Sequence, residues 1–360
     1  MKRQVLSIVL AAAMAGSMVC GCSGNSQPES LRDTNSASQE KVNAKFGFIT
    51  GTGGLGDKNM NDATYDGLKK LEGQGAQINV VEPDDASDYT NLQSLFAERK
   101  EFDAVFCISY EQTDALTKTA EKYPEQRFIL VDSEVEADNV TNVQFRSEET
   151  GFQLGVLAGL LEKDSSLPFM NEEQRVGFVG GQDNPVINQF AAGYEAGVRI
   201  VNPDAQVDIT YVGSFTDPSK ATELANSLYT NGCDIVFACA GGSGLGVFTS
   251  AEKNDGYAFG IEVNQNANAP DHIIASGMRL WDVVMTDVGN MAAQGILESG
   301  TLTYGISENA LKVGFEGSNI QVDDKIKEEM DRYFDKVSKG EYILPKTLDG
   351  VDAFLQGTER

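Results

Sequence analysis

The residues with types and spacing suited to chemistry follow short apolar runs. Gly51-Thr-Gly-Gly-Leu-Gly-Asp57-Lys58 follows AKFGFIT, Gly180 and Gly181 close RVGFVGG, and Gly241, Gly242, Gly244 and Gly246 follow DIVFACA. Glycine allows left-handed backbone and close approach, and free N–H groups collect at helix starts. Loops of this kind suit a polar ligand, although tight strand-to-helix turns alone also account for any single cluster. The first loop is no phosphate cradle. It lacks the Gly-Lys-Ser/Thr ending, its glycine spacing misses the dinucleotide fingerprint, and Asp57 puts negative charge where phosphate would sit. Asp57, Asn59, Asn61 and Asp62 are helix-capping types, and four so close together leave some to face a ligand.

Catalytic chemistry finds little support. The one histidine, His272, lies between Asp271 and Ile273-Ile274 and reads as a satisfied strand residue. No HExxH, GxSxG or Cys/His nucleophile pattern appears, and no metal site or cofactor is expected. A glycosidase-like carboxylate pair stays open among 54 acidic residues, because separation in space defines it. Cys107, Cys233 and Cys239 show no CxxC spacing and read as small buried hydrophobes.

These residues must be held by elements that alternate along the chain. Strands are expected at 44–51, 79–82, 103–108, 127–131, 140–145, 175–180, 207–212, 234–239, 257–261 and 272–276. Helices are expected at 61–72, 89–99, 112–122, 148–162, 187–201, 218–230, 245–253 and 281–298. Continuous apolar strands between amphipathic helices signal parallel sheets covered on both faces, an α/β fold. Such units on both sides of residue 145 fit two similar Rossmann-like lobes, with one large barrel as the alternative. The expected lobes are 44–145 with about 277–305, and about 146–276 with 306–360. In such sheets ligands bind beyond the C-terminal strand ends, where the glycines sit.

The composition narrows the partners. Lys+Arg total 28 against 54 Asp+Glu, a net charge of -26, which argues against nucleic acid. The 360 residues, 41% of them hydrophobic, suit a large folded core rather than disorder. Acidic stretches at 134–138 and from Glu316 onwards read as solvated surface.

Lys2 and Arg3 precede an apolar run, Val5 to Val19, that is short for a membrane span and reads as a signal peptide over 1–21. Val19-Cys20-Gly21-Cys22 resembles the lipobox of bacterial lipoproteins, which implies lipidation at Cys22. Acyl chains there would anchor the protein to the cell membrane on its extracytoplasmic face. The polar stretch over 22–43 reads as a flexible tether.

The runs GTGGLGDKNMNDATYDGLKK (51–70), FRSEETGFQLGVLAG (145–159), 176–248 and GIEVNQNANAPDHIIASGMRL (260–280) resemble the basic membrane protein family. These are PnrA-like substrate-binding lipoproteins of ABC transporters, many of which bind purine nucleosides. The resemblance implies a type I periplasmic-binding-protein fold whose lobes are joined by three crossings. It also implies a purine or pyrimidine nucleoside as ligand, and a permease with its ATPase as partners. The family's Asp-Lys-Ser-Phe-Asn element falls on Asp57, Lys58, Asn59, Met60 and Asn61, so Met60 replaces an aromatic. Glu262 would hold ribose hydroxyls, with Asn264 beside it, and Arg279 stands for a lysine. Asp132, Phe215, Gly241 and Gly242 complete the implied site. Met60 lacks a flat face and Arg279 offers a planar fork, so another sugar-like or carboxylate-bearing ligand is the alternative. In a further alternative, Arg279 simply pairs with Glu262. A glycoside-processing enzyme and a non-transport surface lipoprotein are the remaining readings.

Overall fold

The computed structural model describes residues 43–57, 59–163 and 167–358. Cys22, the leader and most of the tether lie outside them. The strands are β1 (Lys45–Ile49), β2 (Gln77–Val81), β3 (Ala104–Ile108), β4 (Phe128–Val131), β5 (Val140–Phe145), β6 (Arg175–Gly180), β7 (Gln206–Tyr211), β8 (Cys233–Cys239), β9 (Tyr257–Glu262), β10 (Ile273–Arg279), β11 (Gly300–Tyr304) and β12 (Leu311–Gly314). They form two six-stranded sheets, ordered β11-β5-β4-β3-β1-β2 and β12-β10-β9-β8-β6-β7. Each reads 2-1-3-4-5 in its own strand count, followed by one late strand. The pairings are parallel except β10 with β12.

Alternation along each strand explains why both faces are covered. In β3, Ala104, Phe106 and Ile108 join one apolar cluster, while Val105 and Cys107 join the cluster on the other face. The helices that cover these faces are α1 (Met60–Gly73), α2 (Tyr89–Arg99), α3 (Thr113–Lys122), α4 (Ser147–Lys163), α5 (Pro185–Val201), α6 (Pro218–Thr230), α7 (Leu245–Lys253), α8 (Trp281–Ala293), α9 (Asp324–Ser338) and α10 (Val351–Thr358). None is long and apolar enough to cross a membrane among the described residues. Cys107, Cys233 and Cys239 are buried and free, and burial pushes each thiol upward.

The chain changes sheet three times, between β5 and α4, at Leu280 between β10 and α8, and between β11 and β12. Helices α4 and α5 pack backbone to backbone through glycine. A Cβ on Gly151 or Gly155 would collide with the carbonyl of Phe190 or Tyr194.

Four stretches differ from expectation. The helix expected over 281–298 stops at Ala293, because Gly295 turns left-handed at φ +71. The acidic chain beyond Glu316 is not simply solvated surface. Its helix α9 buries Ile326, Met330 and Val337 on one stripe, so the charges occupy only its outer face. The short strands β11 and β12 went unforeseen, since GTLTY and LKVG carry little apolar pattern.

Candidate functional site

Two carboxylates and one guanidinium meet where the sheets end. Asp132 follows β4, while Glu262 ends β9 and Arg279 ends β10; Glu262 pairs in register with Met278. Both acidic residues sit in left-handed backbone, at φ +63 and +71. Such strain in non-glycine residues persists only where the surroundings hold it. Arg279 Nε donates to Glu262 Oε2 at 2.5 Å and its Nη2 to Glu262 Oε1 at 2.7 Å. Its Nη1 donates to Asp132 Oδ1 at 2.7 Å and its Nη2 to Asp132 Oδ2 at 3.3 Å. Those four bonds use most of the five donors a guanidinium has. The Arg279 side chain is 3% exposed, and the rings of Trp281, Phe145 and Phe190 lie 4.6, 5.0 and 5.7 Å from its carbon. Burial alone would lower the Arg279 pKa, but Asp132 and Glu262 more than offset it and raise it. Burial pushes the Glu262 carboxyl up, against the opposing pull of Arg279.

The loop after β1 forms a second group. Asp57 Oδ1 accepts from the N–H of Asn59 at 2.9 Å and of Asp62 at 3.2 Å. Its Oδ2 accepts from the Asn61 backbone at 3.1 Å and Asn61 Nδ2 at 2.9 Å. Asn61 Oδ1 accepts from Gly51 N–H at 2.7 Å. Asp57 and Asn61 are therefore spent on starting α1 and closing the glycine loop, whereas the buried Oδ1 of Asn59 has no partner among the described residues. Met60 is half-buried against the first sheet's core.

Phe215 forms a third group, in the second lobe. Its ring occupies the space a Cβ on Gly181 would need, and Gly241 takes φ +55 beside it. Ser243 N–H donates to the Phe215 carbonyl at 3.0 Å. A Cβ on Gly242 would stand 3.2 Å from that carbonyl. These glycines make room for the Phe215 segment, which composition alone did not reveal.

Asn264 makes no hydrogen bond to any of the three groups among the described residues. Its Oδ1 accepts from Asn266 N–H at 3.0 Å and its Nδ2 donates to the Glu316 carbonyl at 2.9 Å, so its amide holds the loop that follows β9. His272 stacks on Phe169 at 5.6 Å and bonds Gly256 through Nδ1 at 2.9 Å. That is a strand-end structural role.

The short 3-10 turn Tyr110–Gln112 went unrecognised in the sequence. Glu111 accepts from Thr52 Oγ1 at 2.9 Å and Tyr89 OH at 3.2 Å. Buried Gln112 donates to the carbonyls of Ile49, Thr50 and Ile108 at 3.0–3.2 Å. The available signal was polar residues placed directly after the apolar strand AVFCI.

The family model "ABC transporter substrate-binding protein PnrA-like" matches residues 45–347. The "CD4+ T-cell-stimulating antigen" of Listeria monocytogenes is 29% identical, covering 96% of this chain and 99% of that protein. The "ABC transporter nucleoside-binding protein BmpA" of Lactococcus lactis is 26% identical, covering 91% and 95%. A solved ABC-transporter solute-binding protein of Aeropyrum pernix superposes with TM-score 0.73 at 21% identity, covering 88% of this chain and 97% of that one, a likeness of fold.

Proposed function

The chain belongs to the PnrA-like substrate-binding family of ABC transporters, and on that premise we propose that it is an importer's extracytoplasmic receptor, tethered by lipid on Cys22, that encloses a nucleoside between its lobes. Its fold is of the type I periplasmic-binding-protein kind, and membership brings with it a small ligand and permease and ATPase partners. Residues 44–145 with 281–305 act as one lobe in this reading, and 146–280 with 306–358 as the other; the boundary expected at about 277 moves because β10 stays in the second sheet to Arg279.

The observation that carries the proposal is the pair of carboxylates on Arg279. They lie at the C-terminal strand ends, where ligands of open α/β sheets bind. Arg279 is already occupied by both of them, so it has little left for a phosphate or carboxylate. That disfavours an anionic ligand. The acceptor capacity still open on Asp132 and Glu262 suits donated sugar hydroxyls. A neutral, hydroxyl-rich nucleoside meets both conditions, and the name of the Lactococcus relative points the same way. Phe215 supplies apolar surface, and closure of the lobes around the ligand shifts a population already present.

Titration calorimetry with inosine, guanosine, adenosine, uridine and adenosine monophosphate tests this. Binding of at least one nucleoside, with none of the monophosphate, is expected. Tighter binding of the monophosphate would overturn the reading.

A further inference from the structure

We propose that Tyr110 is the first lobe's ring-stacking contact for the ligand's planar base; this rests on the nucleoside reading above. In a doubly wound sheet ordered 2-1-3-4-5, the crevice opens between the first and third strands, at the point where the strand order reverses. In the first lobe that point lies between β1 and β3. Tyr110 stands on the first turn after β3, two residues beyond the strand end.

The turn is held firmly in place. Ser109 takes left-handed backbone at φ +85, which redirects the chain straight after the strand. Gln112 ties the turn to the ends of both β1 and β3 through three carbonyls. Glu111 joins it to the glycine loop through Thr52, and Thr113 Oγ1 lies 2.9 Å from Ser133 Oγ, next to Asp132. The turn that carries Tyr110 is therefore tied to the glycine loop on one side and to Ser133, the residue after Asp132, on the other.

Its side chain is unspent. It is 58% exposed and has no hydrogen-bond or ring partner among the described residues. Phe169, another exposed aromatic, is by contrast stacked on His272. The backbone beneath the ring is fixed, so a ligand has only the two torsions of one tyrosine to order, and a base has a flat face to set against it. Met60, which opens α1 after the glycine loop, lacks such a face, so Tyr110 supplies what that position does not.

Calorimetry on the wild type, Tyr110→Phe, Tyr110→Ala and Phe215→Ala with inosine, guanosine, adenosine, uridine and free ribose tests the assignment. The alanine variant is expected to lose on the order of ten-fold in nucleoside affinity, and the phenylalanine variant to bind within about two-fold of wild type. If Phe215→Ala weakens nucleoside binding while Tyr110→Ala leaves it unchanged, the Tyr110 assignment fails and the receptor reading stands. If Tyr110→Ala binds normally yet slows transport, the ring meets the permease and the assignment fails. A wild type that binds ribose but none of the nucleosides overturns both.

Discussion

Asp132, just beyond β4 of one sheet, accepts from Arg279, the last residue of β10 in the other, at 2.7 Å. Their bond joins the end of β4 to the end of β10, one residue before the chain crosses back at Leu280. Glu262 closes the arrangement from β9, so one guanidinium fixes three strand ends and both lobes. A buried ion pair is weak evidence of net stability, because desolvation offsets the attraction, but losing one partner leaves a buried charge alone.

Arg279→Ala should therefore destabilise the protein by about 3–5 kcal/mol. Arg279→Lys should recover only part of that, since a point charge cannot serve two carboxylates in bidentate fashion or lie flat among Phe145, Phe190 and Trp281. Urea unfolding of both variants checks this, and a lysine variant as stable as wild type would contradict the geometry.

Glu262→Gln and Asn264→Ala should separate two roles. Removing the Glu262 charge should cost about 1–3 kcal/mol of nucleoside affinity, through lost acceptors for ligand hydroxyls. The amide of Asn264 is spent on its own loop, so its loss should lower stability by about 1 kcal/mol and leave affinity near wild type. Calorimetry paired with thermal unfolding reads both; an affinity loss confined to Asn264→Ala would reverse the assignment.

Much of the fold was legible in the sequence because its strands are continuous apolar runs and its helices keep a 3.6-residue period. The strand 140–145 and the helix 218–230 stand where the pattern put them. The failures have physical causes. Strands β11 and β12 are short edge strands, and β12 pairs only with β10, so neither needs an apolar pattern on both faces. Helix α9 buries a narrow stripe beneath heavy charge, which composition hides. At the site, residue types were readable but their partners were not. Among Asp57, Asn59, Asn61 and Asp62 the spacing predicts that some cap the helix and some face a ligand, but not which; the bonds of Asp57 and Asn61 within their own loop identify two with the capping role.

Glu162 should give folding a specific pH dependence. Its two carboxylate oxygens are buried without partners among the described residues; burial first, and then Asp234, push its pKa to about 8. The unfolded carboxyl titrates near its ordinary value, so between roughly pH 4.5 and 8 the folded state binds the extra proton. That contribution to stability is full below this window and is lost as pH rises through it. Asp234, raised to about 6 chiefly by burial, acts with the same sign over the lower part of the window. Glu162→Gln should flatten the stability profile and raise Tm by several degrees at pH 8 relative to wild type. Parallel profiles for the two proteins over pH 5–8.5 would contradict the burial account.

Gly155→Ala should be poorly tolerated. A Cβ there has no room against the Tyr194 carbonyl, so α4 and α5 must separate, costing about 1–3 kcal/mol or more. Chemical unfolding measures this, and unchanged stability would mean the two helices do not lie as close as described.

The receptor reading is tested most directly by native mass spectrometry of the protein as purified and after mixing with nucleosides. The account predicts one bound molecule per chain, of nucleoside mass, released intact on denaturation and displaced by an added nucleoside. A bound nucleotide, a chemically altered product, or a chain that takes up no nucleoside would contradict it.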